Sequence, residues 1–269
     1  MSDYIISTDL DGTLLDHYTY QWDSAIPSLE RLKARGIPVI INTSKTSEEV
    51  IALQKDMDLI APFIVENGSA IFFPKSLYPD APETAQDSGD YWLVTLGRER
   101  QSIVEKLREL REKFSWGFEG FADMSIERVI ELTGLNSSSA EQALRRKFSE
   151  PLVWLDSESN YQQFIMHVEL LNLRVIKGGR FVHILGKTDK GQAISWCSHH
   201  LQRINGVPAK LIALGDSPND IDMLNIADYA VLVNSPTHDY PETNTSGRLI
   251  KTKGFGPVGW HEAIAQIIQ

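Results

Sequence analysis

The sequence predicts an α/β protein: a doubly wound parallel sheet (Rossmann-like) with an inserted α+β cap domain. Short apolar segments alternate with amphipathic helices in the first 80 residues, and the same alternation returns after residue 186. The stretch between them has a different pattern, with a polar opening and paired short strands. We therefore assign residues 1–80 and 187–269 to the core and residues 81–186 to the cap.

The first core segment has the order strand, helix, strand, helix, strand. Gly36 follows the first helix as a C-terminal cap, and Thr46 with Glu49 three residues later forms a capping box for the second. The predicted strands cover residues 4–8, 37–42 and 63–65, and the predicted helices cover residues 24–35 and the segment from Thr46 to Met57.

The middle segment opens with a turn-rich polar stretch from Pro74 to Asp90. Near its end, two short strands flank Gly178 and Gly179, which predicts an antiparallel pair. The other predicted elements are an apolar segment at 91–96, helices around 104–110 and 126–132, a serine-capped helix through 143–148, a strand at 152–155 and a helix at 161–171.

The last segment resumes the core pattern. A helix from Lys190 to about Arg203 precedes a strand at 211–214, which ends at the polar run from Gly215 to Asp220. In open parallel sheets, ligands bind at the carboxyl ends of the strands, and polar clusters follow the predicted strands at these ends. The remaining predicted elements are a short helix at 223–224, strands at 229–233 and 249–250, and a helix through 264–268.

Composition narrows the classes of partner. The chain has 26 basic and 36 acidic residues, a formal net charge of -10, which disfavours nucleic acid and anionic membranes. An anionic substrate then needs a locally positive pocket. The single cysteine, Cys197, cannot form an internal disulfide and is predicted to be a buried small hydrophobe. With no signal-peptide or membrane-spanning pattern, we expect a cytoplasmic protein; the oligomeric state stays open.

Asp9 and Asp11 end the first apolar run, and Gly12 allows a tight turn after them. Two crowded carboxylates persist best where a cation neutralises them or where one is protonated. Both conditions suit phosphoryl transfer, in which one carboxylate is nucleophile and magnesium ligand and the other handles a proton. The alternative is a solvated acidic turn after a strand.

Four motifs in this order resemble those of the haloacid dehalogenase superfamily of phosphohydrolases. Residues 9–13 resemble its nucleophile motif, Thr43 its second motif, Lys190 its third and residues 215–220 its metal motif. The insert between the second and third motifs is similar to the type IIB cap. Residues 66–68 (Glu-Asn-Gly) resemble a triplet common in that subgroup.

Finer features resemble the branch of mannosyl-3-phosphoglycerate phosphatases, whose product is the compatible solute mannosylglycerate. Residues 43–46 (Thr-Ser-Lys-Thr) replace the Thr-Gly-Arg of the wider subgroup. Residues 179–183 and 256–260 also look like that branch. The resemblance implies hydrolysis of mannosyl-3-phosphoglycerate, with a glucosyl analogue or a general sugar phosphate as alternatives.

The resemblance also implies roles for individual residues. Asp9 is the nucleophile, Asp11 the general acid and base, and Thr43 and Lys190 bind the phosphate oxygens. Lys187 is the alternative to Lys190. The magnesium group comprises Asp9, the backbone carbonyl of Asp11, Asp216 and Asp220, with Asp220 expected to support the site and pair with Lys190.

The substrate, a small-molecule phosphate ester, has a second set of candidate contacts. Lys45, Arg180 and His183 are candidates for the glycerate carboxylate or sugar hydroxyls. Glu66 and Asn67 are candidates for binding hydroxyls, or Glu66 for orienting Lys45. The full set is Ser44, Lys45, Glu66, Asn67, Gly68, Arg180 and His183. For each of the Arg and His candidates, the alternative is a surface residue or a satisfied core group.

Other functions stay open at the level of sequence. A phosphomutase-like transferase would use the same core motifs with different cap contents. A catalytically silent binding module could share the fold, because fold does not determine function. Against the silent module, all the motif residues named above retain functional side chains.

Overall fold

The structure is a computed structural model that describes residues 3–177 and 181–269. In these residues the strands are β1 (Tyr4–Thr8), β2 (Val39–Asn42), β3 (Phe63–Val65), β4 (Ala70–Pro74), β5 (Gln86–Ser88), β6 (Tyr91–Thr95), β7 (Phe118–Gly120), β8 (Ser149–Trp154), β9 (Leu173–Lys177), β10 (Val182–Gly186), β11 (Lys210–Gly215), β12 (Tyr229–Asn234) and β13 (Arg248–Phe255). The α-helices are α1 (Ile26–Ala34), α2 (Ser47–Asp56), α3 (Arg100–Phe114), α4 (Ile126–Thr133), α5 (Ser137–Leu144), α6 (Glu158–Leu170), α7 (Lys190–Asn205), α8 (Ile221–Asn225) and α9 (Gly256–Ile267).

One large sheet forms the centre of the core, with the strand order β13-β12-β11-β1-β2-β3-β4-β6-β5. The strands from β13 to β3 are parallel, whereas β4, β6 and β5 add antiparallel at one edge. The predicted doubly wound parallel sheet is therefore confirmed. Its chain order reverses beside β1, the kind of position at which open α/β sheets bind ligands.

Two apolar layers cover the faces of this sheet. Successive strand residues point to opposite faces, so Ile41 packs in the layer covered by α1 and α9, and Ile40 packs in the layer covered by α7 and α8. Cys197 of α7 lies in the second layer and is fully buried, as predicted. The capping box of α2 is also confirmed, since Thr46 N donates to Glu49 Oε2 at 2.8 Å and Glu49 N donates to Thr46 Oγ1 at 3.3 Å.

The cap contains a second sheet of four antiparallel strands in the order β7-β8-β10-β9. Helices α3 and α6 bury their apolar residues against it, among them Leu107 of α3 and Phe164 of α6. Helices α4 and α5 form a smaller cluster with Phe121 and Phe181. The predicted antiparallel pair, β9 with β10, is confirmed.

The structure does not support a domain boundary at residue 81, because β5 and β6 follow that point and pair with the core sheet. The prolines before β5 therefore mark a turn within the core. The chain leaves the core near Gly97 and returns near Gly186, where an added Cβ would lie 2.8 Å from Arg98 N. Since the two crossings lie side by side, we propose residues 98–186 as the cap.

In the part of the chain that the structure describes, the helices are too short or too polar to cross a membrane.

Candidate active site

Four polar clusters meet at the carboxyl ends of β11, β1, β2 and β3, which are neighbouring parallel strands. Asp9 follows β1, Thr43 follows β2, Glu66 follows β3 and Asp216 follows β11. Because parallel strands end at the same edge of a sheet, residues far apart in sequence become neighbours. The sheet thus brings together four clusters that the sequence analysis singled out.

Lys190 joins two of these clusters. Its side chain is fully buried, and Nζ donates to Asp9 Oδ1 at 2.7 Å and to Asp220 Oδ1 at 2.7 Å. Lys190 is the first residue of α7, which Asp189 caps by accepting a hydrogen bond from Gln192 N. Lys187, the alternative in the sequence, is exposed. The structure therefore places Lys190, and not Lys187, beside the buried carboxylates.

Burial dominates the electrostatics of this cluster. It raises the pKa of Asp9 to about 8, although Lys190 acts to lower it. It also raises the pKa of Asp216 to about 7, and the charge of Asp220 adds to this effect. Burial alone would lower the pKa of Lys190, but the Asp220 and Asp9 charges outweigh it and raise that pKa. Lys190 contacts two of these three acids, so full ionisation of Asp9, Asp216 and Asp220 would leave an excess of negative charge that a divalent cation would neutralise.

Within the described residues, Asp9, Asp216 and Asp220 form a group that could hold a metal ion, with ligand atoms that all lie within 4.8 Å of one another. Carboxylate oxygens are ligands that magnesium prefers. Thr13 Oγ1 donates to Asp216 Oδ1 at 3.2 Å, and a Cβ on Gly12 would lie 2.7 Å from Asp216 Oδ2. The motif therefore holds and makes room for this carboxylate, and the residues present fit a magnesium site.

Asp220 differs from the other two acids because protein donors already occupy both of its oxygens. Oδ1 accepts from Lys190, while Oδ2 accepts from the backbone N–H groups of Asp216 and Ser217, both at 3.0 Å. A Cβ on Gly215 would lie 2.4 Å from the Cβ of Asp220, so the glycine lets this side chain pack against the loop. We therefore expect Asp220 to shape the loop and position Lys190.

Asp11 faces a second cation. Lys45 Nζ lies 2.9 Å from Asp11 Oδ2 and 4.0 Å from Glu49 Oε1. Burial opposes the charge of Lys45, but Asp11 and Glu49 outweigh it and raise the lysine pKa above its ordinary value. The Asp11 side chain is 41% exposed, against 8% for Asp9. The motif thus presents one buried and one accessible carboxylate.

Thr43 and Ser44 form the turn between β2 and α2. Thr43 is fully buried, and its Oγ1 accepts a hydrogen bond from Lys45 N at 3.3 Å, while its hydroxyl hydrogen has no acceptor among the residues that the structure describes. The carbonyl oxygen of Ser44 accepts from Arg146 Nη1 at 2.9 Å. Ser44 therefore connects the core to a cap residue.

Residues Glu66, Asn67 and Gly68 form a tight turn in which all three have positive φ, at 51°, 57° and 89°. A Cβ on Gly68 would lie 2.1 Å from the carbonyl oxygen of Asp189, so only glycine fits at this close approach. Asn67 Oδ1 accepts from Asn219 Nδ2 at 3.0 Å. The turn thus ties the end of β3 to the loops that carry Lys190 and Asp216.

Glu66 itself points toward the cap. The residue is 1% exposed. Its carboxylate accepts three hydrogen bonds, from Lys147 N at 2.9 Å, Phe148 N at 3.1 Å and Ser149 Oγ at 2.6 Å. Glu66 N donates to the carbonyl oxygen of Lys45 at 3.0 Å, but in the described residues the Glu66 carboxylate makes no hydrogen bond or ion pair with the Lys45 ammonium, so the link between the two residues is through the backbone. Its contacts hold the segment before β8 against the core.

His183 lies in β10, and its Nδ1 is buried without a hydrogen-bond partner in the described part of the chain. Burial, together with the positive charges of Arg146 and Lys190, lowers its pKa to about 3, so the imidazole is neutral. Arg180, another sequence-predicted substrate residue, lies outside the described residues.

The sequence analysis gave no site role to Trp260, His238 or Arg146. Trp260 Nε1 donates to Thr8 Oγ1 at 3.0 Å, and Thr8 Oγ1 donates to the carbonyl oxygen of Asp9 at 2.8 Å. His238 Nε2 lies 3.4 Å from Asp216 Oδ2. Trp260 belongs to residues 256–260, which the sequence analysis noted for their resemblance. His238 and Arg146 lie in loops without a recognisable motif, so no local sequence pattern could have identified these two residues.

The arrangement suits displacement at a phosphorus atom. Asp9 is a carboxylate with one oxygen bound by Lys190, while Asp11 is an accessible acid nearby in the same loop. A metal-binding group and a buried threonine hydroxyl lie at the same edge of the sheet. Nucleophile, proton carrier and positive charge are the parts that phosphoryl transfer requires.

Comparison with known proteins agrees with this chemistry. The haloacid dehalogenase-like hydrolase family model matches residues 6–114 and 129–241. A glucosyl-3-phosphoglycerate/mannosyl-3-phosphoglycerate phosphatase of Persephonella marina is 39% identical over 98% of this chain and 97% of its own length. A phosphatase of the same name from Methanococcoides burtonii is 37% identical over 98% and 97%. The subclass IIB sugar phosphatase BT4131 has a similar fold, with a TM-score of 0.66, 17% identity and 98% of each chain covered.

Proposed function

The chain belongs to the haloacid dehalogenase-like hydrolase family and is a phosphoric monoester hydrolase, and on this premise we propose that its substrate is a glycosyl-3-phosphoglycerate. The products would be a glycosylglycerate and inorganic phosphate. The observation that carries this proposal is the match to the Persephonella marina phosphatase, which covers 98% of the chain at 39% identity. That relative's name includes both sugars, so glucose and mannose are both candidates for the glycosyl group.

In the proposed reaction, Asp9 is the nucleophile. Lys190 binds its Oδ1, which leaves Oδ2 to attack phosphorus in line with the leaving oxygen. The P–O bond to the sugar acid breaks as the bond to Asp9 forms, and an aspartyl-phosphate results. Attack by water on this phosphorus then regenerates Asp9.

Asp11 would move the proton in both steps. Its more exposed carboxyl group gives a proton to the leaving alkoxide and later takes one from the attacking water. Lys45, 2.9 Å from Asp11 Oδ2, fixes the direction in which the carboxyl group points. The two aspartates of the motif therefore take different roles because their surroundings differ.

Positive charge and hydrogen-bond donors would surround the phosphate. The Thr43 hydroxyl hydrogen has no acceptor in the part of the chain that the structure describes, and the Lys190 ammonium lies beside Asp9, so both are placed to bind phosphate oxygens. Asp9, the backbone carbonyl of Asp11 and Asp216 would hold magnesium, with Asp220 positioning Lys190. When bound, the ion supplies positive charge that offsets repulsion between the carboxylates and the anionic ester.

A general sugar-phosphate phosphatase is the second candidate, favoured by the fold shared with the sugar phosphatase BT4131. A catalytically silent module is disfavoured, because the buried Lys190 holds Asp9 and Asp220 in contact. The two enzymes would share all the core chemistry. They would differ only in what the cap recognises.

The test is phosphate release from a panel of esters. Glucosyl- and mannosyl-3-phosphoglycerate are compared with hexose phosphates, in magnesium and after chelation. We expect release that depends on magnesium and favours the glycosyl-phosphoglycerates. Equal rates on hexose phosphates would replace the proposal with the general sugar-phosphate phosphatase, and no release from any ester would support the silent module.

A further inference from the structure

Arg146 lies where the cap meets the core site, in the connection between α5 and β8. Its Nη1 donates to the Ser44 carbonyl oxygen at 2.9 Å and to Ser149 Oγ at 3.1 Å. Ser44 directly follows Thr43, whose hydroxyl is assigned to the phosphate. The guanidinium therefore contacts the residue that follows the proposed phosphate-binding threonine in the sequence.

Core groups fix the chain around Arg146. Glu66 accepts hydrogen bonds from the backbone N–H groups of Lys147 and Phe148, at 2.9 and 3.1 Å. Four residues before Arg146, the carbonyl oxygen of Gln142 accepts from Thr46 Oγ1 at 3.1 Å. Because these bonds lie on both sides of Arg146 along the chain, the core loops determine where its guanidinium points.

Arg146 forms no direct ion pair in the described residues, although its charge acts on the neighbouring Glu150 carboxylate and Ser149 Oγ links it to Glu66. Lys190 has a carboxylate oxygen at 2.7 Å, Lys45 has one at 2.9 Å and Lys147 has one at 3.2 Å. In residues 3–177 and 181–269, Arg146 is recorded in no such ion pair, and its Nε is buried without a hydrogen-bond acceptor. Nη1 is used, whereas neither the buried Nε nor Nη2 donates a hydrogen bond within the described residues, so this edge of the guanidinium keeps unused donors.

The charge of Arg146 also acts on His183, a residue of β10 whose Nδ1 is buried. Arg146 and Lys190 both act on the His183 imidazole, adding to the effect of burial in lowering its pKa. The two cations therefore lie close to a common neutral ring. One of them belongs to the catalytic cluster and the other belongs to the cap.

We propose that Arg146 binds the carboxylate of the glycerate moiety and so selects substrates with a second anionic group. The inference rests on the proposed function, in which the core site takes the phosphate. A protein with net charge -10 needs local positive charge to hold a second anion, and a planar guanidinium edge matches a carboxylate through two parallel hydrogen bonds.

The experiment separates the carboxylate from the sugar with four phosphate esters. Two carry a carboxylate, 2-O-glucosyl-3-phosphoglycerate and 3-phosphoglycerate. Their partners carry an alcohol in its place, 2-O-glucosylglycerol 3-phosphate and glycerol 3-phosphate. For each protein, the readout is the ratio of kcat/KM for the acid to kcat/KM for the matching alcohol.

We expect the parent protein to favour the acid and Arg146→Gln to lower this ratio about 10- to 100-fold, the size of one lost charged hydrogen-bonding group. Arg146→Lys keeps the charge without the planar fork and should lower the ratio less. The matched control is Arg145→Gln, which changes the exposed arginine next in sequence and should leave the ratio within about twofold. Thermal unfolding checks that each variant is folded.

Several results would overturn the proposal. One is that the parent protein shows no preference for the acid. Another is that Arg146→Gln has the same acid-to-alcohol ratio of kcat/KM as the parent protein. Equal losses on acid and alcohol would assign Arg146 a purely structural role in holding Ser44. Failure of the proposed function looks different: the parent would then prefer esters without the sugar, and the 3-phosphoglycerate pair would still report on Arg146.

Discussion

Buried charged side chains have different partners in the core site and in the cap–core seam. The seam consists of Ser44, Glu66, Arg146 and Ser149. In the core site, Lys190 lies between two carboxylates at 2.7 Å. In the seam, Glu66 accepts hydrogen bonds from backbone and hydroxyl groups, and Arg146 donates to a carbonyl and a hydroxyl. Charged side chains therefore contact opposite charges in the core site, whereas in the seam they form hydrogen bonds with neutral groups.

This difference in partners indicates which charge a bound ligand should carry in each region. The core cluster has an excess of carboxylates, so it favours a divalent cation and, with it, a phosphate. In the seam, the Ser149 hydroxyl separates Arg146 from Glu66, and Arg146 Nε lacks an acceptor among the described residues, so we expect the seam to favour a further anion. In the proposed mechanism, phosphoryl transfer therefore depends on the ion pairs within the core. We propose that selection between substrates depends on the seam, where Arg146 forms no direct ion pair in the described residues.

The largest effect on turnover is expected for replacement of the proposed nucleophile in the core site. Asp9→Asn should lower kcat by at least about 10⁴-fold, because the amide does not attack phosphorus although its volume is nearly the same. Phosphate release under saturating substrate measures this. The control Asp58→Asn changes an exposed aspartate of a surface ion pair and should leave kcat unchanged. Parent-like turnover by Asp9→Asn would show that another group is the nucleophile.

A second variant compares the two lysine–aspartate pairs of the core. Lys190→Met leaves Asp9 and Asp220 buried without a cation and should lower the free energy of unfolding by about 3 to 5 kcal/mol at pH 8. Lys45→Met removes the cation beside Asp11, which is 41% exposed, and near Glu49, which keeps its hydrogen bonds from Thr46, so it should cost less, about 1 to 2 kcal/mol. Urea unfolding of both variants gives the comparison. Equal losses would mean that burial does not distinguish the pairs.

A third variant tests the seam. Glu66→Gln weakens the acceptor for Lys147 N, Phe148 N and Ser149 Oγ, and should lower the free energy of unfolding by about 1.5 to 3 kcal/mol. KM should rise more than kcat falls, because the cap segment that carries Arg146 loosens. Glu48→Gln, which alters a more exposed pair with Lys147, is the control and should change stability by below about 1 kcal/mol. A fall in kcat alone would contradict a role in holding the cap.

The smallest expected effect concerns pH. The pKa of His183 is lowered to about 3 in the folded protein, so the unfolded chain binds more protons below its ordinary value of 6.5. Parent stability should therefore lose about 1 to 2 kcal/mol relative to His183→Gln as pH falls from about 6.5 to 5. The raised pKa values of Asp9 and Asp216 act with the opposite sign, but both proteins share them. Parallel pH profiles from thermal unfolding would refute the buried, neutral state of His183.

Local patterns in the sequence determined the alternation of strands and helices, because apolar periodicity and caps report burial and helix ends residue by residue. They also located Asp9, Thr43, Glu66 and Asp216 at strand ends, and adjacency of parallel strands then made them neighbours. Lys190 could be placed at a helix start beside them, since Asp189 is a cap residue. These features depend on short stretches of chain.

Only the tertiary structure decided which distant segments meet. The turn-rich stretch before β5 looked like a domain junction, but pairing of β6 with β4 keeps that part of the chain in the core sheet. The partners of Glu66 lie more than 80 residues along the chain, at Lys147 and Phe148. Arg146 reaches Ser44 across a similar separation. Hydrogen bonds and charge contacts between loops follow from how the domains pack, and local propensity carries no record of that packing.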